Sequence, residues 1–119
     1  CLRRVRALEE SGVIRSYHAD LDAAKLGYGI TVFAMVILRS QAEADLQAFE
    51  DYVGGLPEVR ECYMLNGEID FLLKVVARDL QSFQSFLTAH LTSAPNVTSV
   101  KTSLTIRTAK QLAGIPVEP

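Results

Sequence analysis

Two rhythms of apolar and polar positions organise the chain from residue 29 onward. Residues 29–40 (GITVFAMVILRS) form a β-branched, apolar run that predicts a strand. Residues 43–56 change period: Leu46, Phe49, Val53 and Leu56 share one helical face, and Gly54-Gly55 ends the helix. Residues 57–66 and 68–78 predict a second and a third strand. The Asn66-Gly67 pair between them is the usual signal for a two-residue hairpin. Residues 79–93 predict a helix with Asp79 as N-cap and an apolar stripe of Leu80, Phe83, Phe86, Leu87 and Leu91. Residues 95–108 predict a fourth strand, which makes the order βαββαβ.

That order contains a duplication. Leu56-Pro57-Glu58-Val59 and Ala94-Pro95-Asn96-Val97 occupy equivalent places 38 residues apart. Two βαβ units with right-handed crossovers give an α+β, ferredoxin-like sandwich, with both helices on one face of an antiparallel sheet. The other face poses a problem. Ile30, Val32, Ala34, Val36 and Leu38 alternate with Phe33, Met35 and Ile37, and the third strand sets Ile69, Phe71, Leu73 and Val75 against Leu72 and Val76. Both faces are therefore apolar, and two helices cover only one. A soluble monomer does not leave such a patch open, and a second copy is the simplest cover, so a homodimer is expected.

Residues 1–28 read differently. Leu2, Val5 and Leu8 share a helical face that Gly12 terminates, but no N-cap precedes them, which suggests the tail of a longer helix. Residues 13–21 (VIRSYHADL) form an imperfect strand-like connector. Asp22 then caps a short helical turn that Gly27 stops. Charge divides at the same place. Residues 1–16 hold four arginines against two glutamates, while the remainder holds eight basic and twelve acidic side chains. A small basic end on an acidic body suggests polyanion contact at that end alone.

Composition excludes several classes. With 49% hydrophobic and 22% charged residues the chain is an ordinary folded protein. No apolar run reaches the ~18 residues that span a bilayer, and no secretory leader is read behind Arg3, Arg4 and Arg6. Cys1 and Cys62 make no disulfide framework, so a cytoplasmic location is expected. The cysteines with His18 and His90 have no metal-ligand spacing, and Cys62 reads as an inert thiol. No phosphate loop or nucleophilic triad is present. Glu68 and Asp70 sit beside a turn without a nearby histidine or lysine. They read as a solvated hairpin tip or as part of a polar pocket.

The residues also carry a family resemblance. The helix exit Leu-Glu-Glu-x-Gly-Val-Ile (residues 8–14), the strand Pro-Glu-Val-x-Glu-Cys (57–62) and the strand Gly-x-x-Asp-x-Leu-Leu-Lys (67–74), followed by Arg-Asp-Leu, resemble the Lrp/AsnC family of transcription factors over essentially the whole chain. The resemblance implies two parts. Residues 1–28 would be the end of a helix-turn-helix recognition helix plus a linker. Residues 29–119 would be a RAM domain that senses small molecules and assembles. It implies no enzyme, no cofactor and no metal, with a small amino acid as effector. Asn66, Gly67, Glu68, Ile69 and Asp70 would line the effector pocket together with Leu80, Ser103, Leu104 and Thr105. Gly67 would let a ligand approach the backbone, and Asp70 would accept from its ammonium group. Arg3, Arg4 and Arg6 would contact DNA phosphates. The implied partners are DNA, weakly for this chain and specifically for a full-length parent, and a homodimer that builds to a tetramer or octamer of dimers, with no membrane. A stand-alone sensor or a small enzyme on the same dimeric sandwich is the alternative.

Overall fold

A computed structural model describes residues 4, 6, 7, 10–12, 19 and 21–116. Its elements are β1 (Ile30–Leu38), α1 (Glu43–Gly54), β2 (Val59–Met64), β3 (Phe71–Ala77), α2 (Leu80–Phe86), a π-helical turn (Leu87–Leu91) and β4 (Val97–Leu104). The four strands form one antiparallel sheet in the order β2-β3-β1-β4, which is the split βαβ arrangement of a ferredoxin-like sandwich. No helix among the described residues is long and apolar enough to cross a membrane.

Strand alternation decides where the core sits. Val32, Ala34, Val36 and Leu38 of β1 and Phe71, Leu73, Val75 and Ala77 of β3 are buried beneath the helices. Phe49 and Val53 of α1 and Phe83 and Phe86 of α2 close over them, with the Phe49 and Phe71 rings 4.8 Å apart. Burying each such side chain stabilises the fold by about 1.5–3 kcal/mol. Phe33, Met35 and Ile37, with Leu72 and Val76, stay half-buried on the opposite face, as the alternation requires. That face also carries Lys74 paired with Glu61 at 3.4 Å, and Tyr63 donating to Glu61 at 2.8 Å.

The caps follow the sequence closely. Asp79 accepts from the Ser82 N–H at 2.7 Å and starts α2. Asp22 accepts from the Lys25 N–H at 3.3 Å. Gly27 adopts φ +92°, while Tyr28 donates to the Ala23 carbonyl and Gly27 to that of Ala24, a Schellman stop. Gly12 takes φ +83° after the helical residues Arg4, Arg6, Ala7 and Glu10. Leu2, Val5, Leu8, His18 and most of the connector lie outside the described residues.

Two elements differ from their expected form. The Asn66-Gly67 pair does not make a two-residue hairpin, because neither residue has the positive φ that such a turn requires. The Leu65 N–H instead reaches the Asp70 carbonyl at 3.0 Å and encloses a four-residue loop. β1 is the reason: it holds Asp70 by backbone and side chain, so β3 starts at Phe71 rather than at Glu68. The helix expected over residues 79–93 widens into the π turn, where Thr92 donates to the Leu87 carbonyl. There the Tyr52 hydroxyl donates to the His90 carbonyl at 2.8 Å and ties α1 to the π turn.

Candidate effector site

The loop of residues 65–70 stands at the end of the sheet where β1 finishes. Asn66, Gly67 and Glu68 are exposed, and Ile69 and Asp70 are half-buried. A side chain built at Gly67 would meet nothing within 4 Å, so packing inside one chain does not demand a glycine there. Glu68 has no hydrogen bond or ion pair among the described residues.

Asp70 is committed to the fold. Its backbone N–H donates to the Val36 carbonyl at 3.0 Å. Its Oδ2 accepts from the Leu38 N–H at 2.7 Å and from the Gln41 amide at 3.2 Å. Gln41 also donates to the Leu38 carbonyl at 2.8 Å. The other side of β1 is held by Asn96, in the left-handed region at φ 69°. Its amide accepts from the Ser40 N–H at 2.8 Å and donates to the Ser40 carbonyl at 3.0 Å. Gln41 and Asn96 thus frame this end of the sheet, and sequence reading missed both. The Asn in a Pro-Asn step was the available signal, since Asn tolerates the left-handed region.

The remaining candidates lie at the other end. Thr105 donates its N–H to the Thr31 carbonyl at 2.9 Å, and Ser103 and Leu104 pair with Phe33 and Val32. Leu80 opens α2 just beyond the end of β3 and is 54% exposed; Leu104 is 50% exposed. Val36, which holds Asp70, and Thr31, which holds Thr105, are five residues apart on β1, or roughly 16 Å at strand rise. One chain therefore holds residues 66–70 together at one end of the sheet and places Leu80, beyond β3, and residues 103–105, at the end of β4, at the other with β1 between them, and it does not join the two groups.

Arg4 and Arg6 are helical and exposed; Arg3 lies outside the described residues. Cys62 is half-buried on β2. Burial first, and then the Glu50 carboxylate, push its thiol up to about 11, so it stays protonated near neutrality. Among the described residues no group of three or more His, Cys, Asp or Glu side chains could hold a metal ion.

The described residues thus form a split βαβ sandwich with one sheet face free of helices and exposed polar loops at its strand ends. Residues 31–115 match the Lrp/AsnC ligand binding domain. The leucine-responsive regulatory protein of Rhizobium meliloti (strain 1021) is 50% identical over 117 residues, covering 98% of this chain and 75% of that protein. The Bkd operon transcriptional regulator of Pseudomonas aeruginosa is 36% identical, covering 98% of this chain and 76% of its own length. Among solved structures, a transcriptional regulator of Neisseria meningitidis in complex with L-Met superposes with a TM-score of 0.89 at 31% identity, over 98% of this chain and 75% of that one. This chain belongs to the Lrp/AsnC family of transcriptional regulators and carries the family's ligand-binding domain. Its relatives are regulators of transcription, not enzymes.

Proposed function

We propose that this chain senses a small amino acid for a cytoplasmic DNA-binding regulator, and that the effector sits between copies of the chain. The observation that carries this reading is the separation of the two candidate groups on one sheet. Residues 66–70 of one copy and Leu80, Ser103, Leu104 and Thr105 of another complete the site only when copies assemble. An amino-acid ligand needs acceptors for its ammonium and donors for its carboxylate. The unpartnered Glu68 carboxylate and the free oxygen of Asp70 can supply the first. The loop N–H groups and the Ser103 and Thr105 hydroxyls can supply the second. Leu80 and Leu104 offer apolar contact to the ligand side chain.

Assembly runs through the open sheet face: Phe33, Met35, Ile37, Leu72 and Val76 meet the same face of a second copy, and dimers associate further. A ligand held between copies favours one assembly over another only by its differential affinity for the two. Arg4 and Arg6 contact DNA phosphates beside the bases that a longer recognition helix reads. No catalytic role and no cofactor are assigned. The test is sedimentation of the chain with and without each of the common amino acids. The reading requires at least one of them to bind and to change the size distribution.

A further inference from the structure

The structure leaves a second apolar surface besides the sheet face. After Leu104 the chain continues through residues 105–116 with no helix or strand. Only Thr105 at its root is tied by a hydrogen bond to the rest of the described chain. Along this arm Ile106 is 95% exposed, Leu112 76% and Ile115 78%. Three large aliphatic side chains so fully in water forgo the burial that normally drives packing. The arm also carries Arg107 and Lys110 and no acidic residue.

The opposite edge of the sheet has the complementary character. β2 is an edge strand, so its outer side has no strand partner among the described residues. Beside it, Glu50, Val53 and Gly54 of α1 with Val59, Glu61 and Cys62 of β2 bound a concavity of about 300 Å³. Val53, Val59 and Cys62 supply its apolar part, between Glu50 and Glu61. α1 above it carries Glu43, Asp45, Glu50 and Asp51 and no basic residue. Arg60, the one cation at the rim, is turned onto the Pro57 carbonyl at 3.0 Å.

We propose that the arm of residues 105–116 from one copy docks in the groove between α1 and β2 of a second copy. Leu112 and Ile115 cover its apolar part, and Lys110 meets the acidic face of α1 beside Glu50. Ten extended residues reach roughly 33 Å, so the arm can project well beyond the β4 edge of its own copy. Aliphatic burial supplies the affinity, charge sets the direction of approach, and the β2 edge, without a strand partner among the described residues, offers the arm backbone groups to pair with. The inference rests on the reading that copies assemble, but it concerns a contact separate from the sheet face.

The test uses the full chain with photoreactive benzoylphenylalanine in place of Leu112, in a mixture of isotopically light and heavy copies. Irradiation should join light to heavy chains, and the linked peptide should contain Val59–Cys62. In parallel, Leu112→Glu should weaken self-association roughly tenfold or more and leave the circular dichroism unchanged, since Leu112 is exposed in the single chain. A link formed only within one copy, or to another surface, overturns the proposal. So does Leu112→Glu associating as tightly as the parent, an outcome that leaves sheet-face assembly standing. A chain that never self-associates refutes this contact and the assembly reading together.

Discussion

Asp70 takes the Leu38 backbone N–H at 2.7 Å while its own N–H serves the Val36 carbonyl, so one residue brackets the last ladder step of β1. The carboxylate that the sequence offers as a ligand acceptor is thus also a fastener of the strand end. Asp70→Ala should lower stability by about 1–3 kcal/mol, the usual loss for a hydrogen bond to a charged group. Glu68→Ala should change it little, because nothing else in the described chain bonds to Glu68. Urea denaturation of the two variants checks this. A stable Asp70→Ala chain would mean that the bond to Leu38 contributes little.

How much was legible in advance follows from the same contrast. Periodicity sufficed for the six main elements, because each is driven by burial of one face; Val32 to Leu38 and Phe71 to Ala77 fell as alternation required. Asp79 was readable as a cap because its hydrogen bond is local. The loop was misread as a tight hairpin because its shape is set from β1, some thirty residues away, through Leu38 and Val36. Gln41 and Asn96 were invisible for the same reason. The opposed positions of Gly67 and Thr105 follow from strand direction, and the meeting proposed for them requires a second chain that no single sequence pattern contains.

Phe33→Asp tests the sheet face. Phe33 points away from the helices and is half-buried in the single chain, so the variant should fold. A charge forced into a sheet-on-sheet contact costs several kcal/mol, so dimers should disappear at micromolar concentration in analytical ultracentrifugation. Unchanged association would place the dimer contact elsewhere.

Acid should weaken the start of α2. The Ser82 N–H, then its hydroxyl, then nearby Arg78 hold the Asp79 carboxyl below the ordinary carboxylate range. A depressed folded pKa stabilises the fold above the unfolded value of about 3.9. That contribution is lost as pH falls through the lower folded value. Asp79→Ala should therefore melt below the parent at neutral pH, and the gap should narrow as pH falls below the ordinary carboxylate range. A gap that persists in acid would show that the charge is not what matters.

DNA binding by this chain should be weak, indifferent to sequence and steeply salt-dependent. Arg6→Ala should reduce the log–log salt slope by about one, as expected for one lost phosphate contact. Filter binding across a salt series measures it, and sequence-specific footprinting by this chain alone would contradict the assignment of Arg4 and Arg6 to phosphates.

The most direct measurement is calorimetric titration of the twenty amino acids into the parent chain and into the monomeric Phe33→Asp variant. If loop 66–70 and strand end 103–105 meet only between copies, at least one amino acid binds the parent, and that heat vanishes in the monomer. Equal binding to both would place the whole site within one chain, and no binding to either would leave the loop without an effector.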